Sequence, residues 1–255
     1  MKEVHHFSNG TFTRQDAEVV QEFPLLLRVN DKELVTLIAS PHDLRFLVAG
    51  FLRVQGFVSS MDDFLMLSVC NDFGIANVRI RGEVSANLKP ILTSGCGTGI
   101  TFSLPGSGTI SKVNTPAENV TPEAVFALMA QLARKAEKYK SHGGVHSAAV
   151  GDNDGDLLLY AEDIGRHNTV DRLAGEALLR GVDLAGKLLV TSGRVSAEMA
   201  AKAASLGIVL IASRTSPTDM AIRICQEAGI TLVGYLRSAN FNVYANPQLL
   251  FGSGG

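Results

Sequence analysis

The chain has 255 residues, 46% hydrophobic and 19% charged, enough for one large or two modest domains around a substantial core. Its 23 basic and 25 acidic residues leave a net charge of −2 with no long run of either sign, which excludes non-specific binding to nucleic acid or a membrane surface but leaves room for a local basic pocket. The three cysteines, Cys70, Cys96 and Cys225, are too sparse for a disulfide framework; with no apolar signal region after Met1 and no run of about 18 apolar residues, the chain reads as cytoplasmic.

Residues 1–112 read as a smaller, strand-rich N-terminal part. Strands are expected over 23–30 and 33–39, flanking a turn at Asn30-Asp31. Ser40-Pro41-His42-Asp43 then opens a helix through Leu52, with Leu44, Leu47, Val48 and Phe51 on one face. Further strands are expected over 64–70 and 75–81. Next comes Thr93-Ser94-Gly95-Cys96-Gly97-Thr98-Gly99, a lone thiol between glycines. Such a glycine density describes a mobile, accessible loop. A cysteine kept for packing prefers apolar neighbours, as Cys70 and Cys225 have and Cys96 lacks. Cys96 therefore reads as presented for reaction, the alternative being an incidental cysteine in a surface turn.

Residues 113–255 change character to alternating helices and strands. Thr121-Pro122-Glu123 is a helix start, with a capping hydroxyl and proline at the first helical position, and the helix should run to about residue 139. Short apolar runs at 145–150, 156–160, 187–191, 208–212 and 230–235 suit buried strands of a largely parallel sheet covered on both faces. Within them Val190-Thr191-Ser192 with Met199-Ala200 recurs, about 21 residues on, as Ile211-Ala212-Ser213 with Met220-Ala221. Each copy is one strand-turn-helix unit, so the two Ser/Arg turns fall at the same carboxyl edge of the sheet, where open α/β sheets bind ligands.

Three polar clusters converge on that edge. They are Glu162-Asp163-Ile164-Gly165-Arg166-His167-Asn168, Ser192-Gly193-Arg194-Val195-Ser196 and Ser213-Arg214-Thr215-Ser216-Pro217-Thr218, with Ser216 the expected cap of its helix. Helix-start amides, hydroxyls and arginine forks together suit phosphate or pyrophosphate, whereas any one cluster alone would suit simple capping. His146, beside Gly143-Gly144, is either a site histidine or a hydrogen-bonded core histidine. No zinc spacing, dinucleotide glycine fingerprint, phosphate-binding P-loop or nucleophile elbow occurs.

Four extended strings stand in order: Gly143-Gly144-Val145-His146-Ser147-Ala148-Ala149, Glu162 to Asp171, Ser192 to Met199, and Phe241-Asn242-Val243-Tyr244. With Asp43-Leu44 and Ala49-Gly50-Phe51-Leu52, they closely resemble the formate dehydrogenase accessory protein family, FdhD. The resemblance implies a sulfurtransferase that takes sulfur from a cysteine desulfurase as a persulfide on a loop cysteine, here Cys96. It implies delivery to the molybdenum cofactor of formate dehydrogenase, a bis-molybdopterin guanine dinucleotide that guanine nucleotides would mimic. It also implies a homodimer with a three-layer α/β/α sandwich similar to cytidine deaminase, and no tightly held metal of its own. The family's cofactor-binding segment maps onto Tyr235, Leu236, Arg237, Ser238, Ala239 and Asn240; Arg166, His167, Ser192, Arg194, Ser213 and Arg214 are expected to join it. Gly99 stands where the family's second loop cysteine usually is, and a persulfide needs only one sulfur anchor. The alternative function is a non-catalytic chaperone for the cofactor, with Cys96 incidental.

Overall fold

The computed structural model describes residues 1–82, 91–92, 100–101, 112–113 and 120–251. It opens on a hairpin, β1 (Lys2–Ser8) and β2 (Thr11–Ala17), closed by Asn9-Gly10 with φ of 50° and 82°. An Asn-Gly pair at positive φ is the tight turn whose twist matches that of its strands.

A four-stranded sheet follows in the order β4-β3-β6-β5, from β3 (Phe23–Val29), β4 (Lys32–Ala39), β5 (Phe64–Cys70) and β6 (Ile75–Ile80). Alternate residues Leu25, Leu27 and Val29 turn inward and meet Leu44, Leu47, Val48 and Phe51 of α1 (Leu44–Val54) in one core. Two short strands, β7 (Ile91–Leu92) and β8 (Ile100–Thr101), pair antiparallel. Cys96 and its loop lie outside the described residues.

The remaining elements are α2 (Pro122–Lys135), α3 (Glu137–His142), β9 (His146–Gly151), β10 (Leu157–Asp163), α4 (Arg166–Arg180), β11 (Leu188–Thr191), α5 (Ala197–Ser205), β12 (Leu210–Ser213), α6 (Asp219–Ala228), β13 (Thr231–Gly234), β14 (Asn242–Ala245) and α7 (Gln248–Phe251). They build a six-stranded sheet, β10-β9-β11-β12-β13-β14. Only the β11-β12-β13 pairings are parallel, which corrects the expectation of a largely parallel sheet. For β9 and β10 the cause is the Asp152-Asn153-Asp154-Gly155 reversal. Asp152 Oδ1 accepts the amides of Asp154 and Asp156, and Gly155 takes φ 84°, so β9 must return antiparallel as β10.

Helices cover both sheet faces. Alternation in β11 sends Leu188 and Val190 toward Val125, Leu128 and Leu132 of α2, while Leu189 joins a core with α4, α5 and α6 through Leu173, Met199 and Ile224. The result is an α/β/α sandwich, as expected. Thr121 caps α2, its hydroxyl accepting the Ala124 amide, with Pro122 following as expected. The expected continuous helix to residue 139 instead breaks at Ala136 (ψ 69°). The Glu162 carboxylate, at the end of β10, accepts the Lys138 and Tyr139 amides and so starts α3 as a separate helix.

The two parts of the molecule meet through α1 and α4. Gly50 and Gly175 let these helices touch backbone to backbone. Buried Arg172 of α4 donates to Asp163 Oδ2 at 2.6 and 2.8 Å, to Ser40 O at 2.8 Å and to His42 O. Asp163 also accepts from the Ser40 amide at 3.2 Å. This fixes the β4–α1 link against the start of α4, directly behind the edge where the polar clusters gather. Among the described residues, no helix is long and apolar enough to cross a membrane.

Candidate functional site

The strand directions bring the polar clusters together. β10 and β11 are both antiparallel to β9, and β11, β12 and β13 are parallel, so the residues after these four strands leave at one edge. His146, at the start of β9, joins them there.

The turns are bonded to one another as a ladder that continues past the strands. Ser192 and Ser147 exchange two bonds of 2.9 Å, Ser192 N to Ser147 O and Ser147 N to Ser192 Oγ. Buried Ser213 donates its hydroxyl to Gly193 O at 2.7 Å and accepts the Thr215 amide at 2.9 Å. The Leu236 amide donates to Ser213 O, the Tyr235 amide to Thr215 O and the Arg237 guanidinium to Arg214 O. Tyr235 takes φ 53°, a left-handed conformation that costs a non-glycine residue of order 1–3 kcal/mol and that such bonds hold in place. Turn backbones are thus held by each other, while the side chains of Arg194, Arg214, Tyr235 and Arg237 stay exposed.

Beside the ladder runs a groove. Arg214, Leu236, Arg237 and Ser238 face Phe126, Met129, Ala130 and Ala133 of α2 across a cavity of about 580 Å³. A smaller cavity of about 120 Å³ adjoins it at Met129, Ala133 and Arg214 and reaches Ser147 and Ser192. An apolar floor with arginines on the rim suits a flat ring system carrying anionic groups, and the larger volume lies within the usual range for small ligands. A separate cleft of about 370 Å³ between α1, α3 and α4 offers less. Five of its charged side chains are already engaged: Lys138 with His42, Arg180 with Glu176, Arg172 with Asp163, and Glu162 with backbone amides.

The expected site residues divide by orientation. Arg194, Arg214, Tyr235, Arg237, Ser238, Ala239 and Asn240 are exposed at the edge, and Ser192 is half-buried beside the smaller cavity. Leu236 is buried in the core on the α2 side of the sheet and lines the groove. Ser213 is buried and acts by tying turns together. Arg166 is buried against Gly193: a Cβ there would stand 2.9 Å from Arg166 Cβ and 3.3 Å from His146 Nδ1, so only glycine permits the approach.

His167 is sealed between α4 and α5, its Nε2 2.9 Å from Ser196 Oγ and 3.5 Å from Glu198 Oε2. Burial pushes its pKa down to about 3, outweighing the Glu198 carboxylate, so the ring is neutral and serves packing beneath the edge. Ser196 caps α5 as its sequence suggests, accepting the Met199 amide. The cap of α6 is Thr218 and not Ser216, because Thr218 N bonds Val195 O and Pro217 bridges to Val195, holding the chain out of the helix past the expected start.

Sequence reasoning missed the groove floor. Phe126, Met129, Ala130 and Ala133 are spaced i, i+3, i+4, i+7, a second apolar stripe beside the core-facing Val125, Leu128 and Leu132. An apolar face wider than one sheet contact requires was the available signal.

This arrangement defines an α/β/α protein with exposed arginines along the carboxyl edge of its sheet. Residues 20–251 match the FdhD/NarQ family, and the chain belongs to it. Similar relatives include the sulfur carrier protein FdhD of Bacillus subtilis (strain 168), 33% identical over 252 residues, covering 97% of this chain and 96% of that one. That of Bacillus pumilus (strain SAFR-032) is 34% identical over 249 residues, covering 96% and 95%. A solved structure assigned as a formate dehydrogenase accessory protein from Desulfotalea psychrophila aligns with a TM-score of 0.80 at 25% identity, over 98% of both chains.

Proposed function

We propose that this chain is a cytoplasmic, homodimeric sulfur carrier serving the maturation of formate dehydrogenase. In this reading Cys96 thiolate attacks the outer sulfur of a persulfide on a cysteine desulfurase. The donor's S–S bond breaks, the donor leaves as thiolate, and Cys96 becomes the persulfide. The acceptor is the molybdenum cofactor, a bis-molybdopterin guanine dinucleotide bound as sulfuration substrate along the edge. Arg194, Arg214 and Arg237 would meet its phosphates, and the groove floor of Phe126 and Met129 would take a ring. The observation that carries this reading is the bonded ladder of arginine turns beside an apolar groove of ligand size. The names carried by the relatives support the sulfur-carrier part.

Cys96→Ala tests the transfer. The variant is expected to bind guanine nucleotide as the parent does, yet to leave formate dehydrogenase inactive when it is the sole accessory protein. Full activation by the variant would leave only the chaperone reading, to which Gly99 at the family's second cysteine position lends weight. The groove has its own test in Arg214→Ala and Arg237→Ala. Each removes a charged hydrogen-bonding group worth about 1.5–3 kcal/mol, so GDP affinity measured by calorimetry should fall by roughly ten- to a hundredfold. Unchanged affinity in both variants would place the nucleotide elsewhere.

A further inference from the structure

The hairpin of β1 and β2 is left uncovered. Every residue from Met1 to Asp16 except Val4 is exposed, and near its tip Phe7 and Phe12 are 59% and 71% exposed. Their rings, with centroids 4.9 Å apart, form one apolar knob. A two-stranded hairpin by itself is marginally stable at best in water. Pairing also sets Glu3 opposite Asp16, and like charges directly opposite destabilise a ladder. Such an element calls for an apolar surface under its tip and a cation near its root.

The four-stranded sheet has a face of that kind. α1 covers its inner side, whereas Leu26, Ile38 and Ile75 alternate to the outer side, belong to none of the buried cores and stay partly exposed. Pairing sets this face in rows: Leu26, Ile75 and Cys70, then Arg28, Asn77 and Ser68, then Arg79 and Met66. One face of the hairpin has rows at the same spacing of about 7 Å: Phe7 with Phe12, His5 with Arg14, Glu3 with Asp16. With the phenylalanines on the first row, the acids come level with Arg79.

We propose that the hairpin is an arm exchanged between two copies of this chain, each seating its Phe7–Phe12 tip on the outer face of the other's four-stranded sheet. The inference rests on the homodimer in the reading above and names the surface that forms it. A second copy is the occupant because arm and receiving face lie side by side on one chain. After residues 18–22, β3 starts at Phe23, at the apolar end of that face. The β5–β6 turn closes on the same spot: the Leu26 amide donates to Gly74 O at 2.8 Å, and a Cβ on Gly74 would stand 2.6 Å from Pro24 O. Phe73, in that turn, is 79% exposed. Each arm therefore leaves from the end of the face that receives the other, so a two-fold axis closes both contacts at once. A stable dimer engages about 20–30 residues a side, and residues 1–17 with the outer face reach that number.

The test is sedimentation equilibrium of the full chain from about 0.1 to about 100 μM. The parent is expected to dimerise. The double substitution Phe7→Ser with Phe12→Ser removes only exposed rings, so the chain should melt as the parent does. Its dimer dissociation constant should nevertheless rise at least about a hundredfold. An independent variant, Phe7→Cys, brings a thiol to the row that holds the free Cys70. Mild oxidation should then join two chains, read as a doubled mass on a non-reducing gel and as a peptide linking position 7 to Cys70. A bond within one chain would show the hairpin folded back on its own sheet and overturn the exchange. A double variant that dimerises like the parent also overturns it and leaves the homodimer to another surface. A parent that is monomeric throughout overturns the homodimer and this assignment together, leaving the groove reading untouched.

Discussion

Gly175→Ala is expected to lower the melting temperature by roughly 10 °C, the equivalent of about 3 kcal/mol in a chain of this size. An added Cβ would stand 1.9 Å from the Phe46 carbonyl oxygen and 2.6 Å from the Gly50 amide nitrogen. Both are backbone atoms of α1, so no side chain can swing aside. The reciprocal contact is as close, since a Cβ on Gly50 would lie 1.6 Å from Asp171 O. Alanine has an intrinsic advantage over glycine inside a helix of about 1 kcal/mol. Overlap must overcome that gain, and it does so by forcing α1 away from α4. Separation loosens two cores at once, because α1 fills the core of the four-stranded sheet while α4 fills the larger core of the sandwich. It also strains the bonds from Arg172 to Ser40 and His42. Gly181→Ala is the control: at φ 69° with no atom within 4 Å, it should cost only about 1 kcal/mol. Thermal melts of the three proteins decide the matter; Gly175→Ala melting within a degree or two of the parent would mean that the helices part at little cost.

That helix pair also shows what a sequence can and cannot disclose. β11, β12 and β13 are legible because continuous apolar runs of four or five residues need two covered faces, and the structure covers both. The carboxyl edge follows from them, since a strand, a polar turn and a helix repeat twice in the same order. α4 is different. Eleven of its fifteen residues are buried, among them Arg166, His167, Asn168, Asp171 and Arg172, so hydropathy points outward where the chain points inward. These residues stay inside because their partners come from distant segments: Asp163, Ser40 and Ile38 on one side, Ser196, Glu198 and Lys202 on the other. Complementarity of that kind is invisible to any local pattern. The misplaced start of α6 has the same origin, a tertiary bridge from Val195 to Pro217 overriding a good local cap. By contrast, Asn9-Gly10 and Asp152 to Gly155 are local turn signals, and the hairpins they close were open to sequence reading.

Lys202→Met should destabilise the fold by about 3–5 kcal/mol at pH 8, with a smaller deficit in acid. Lys202 of α5 is buried, its Nζ 2.9 Å from Asp171 Oδ1 on α4 and 3.1 Å from Glu198 Oε1. Burial disfavours the ammonium, but the two carboxylates outweigh it and hold its pKa above the ordinary value. Methionine keeps most of the volume, so the loss reflects two buried carboxylates left without their cation rather than a cavity. The pH dependence follows from Asp171, whose pKa burial pushes up to about 6 even with Lys202 attracting the anion. Without Lys202 it must rise further. The folded variant then holds a proton that the unfolded chain, with an ordinary carboxylate pKa of about 3.9, has already released. Stability therefore falls as pH climbs through that interval, by up to about 1.4 kcal/mol per unit and per proton. Urea unfolding at several values between about pH 5 and about pH 8 should show the gap between variant and parent widening upward. A gap that is constant with pH, or below about 1 kcal/mol throughout, would show that water or local rearrangement neutralises the carboxylates. The effect should reach the edge as well. Glu198 links Lys202 to His167, and His167 to Ser196, whose hydroxyl caps α5 beneath the Ser192-Gly193-Arg194 turn. Loosening the buried charges thus loosens the platform on which the arginine turns stand.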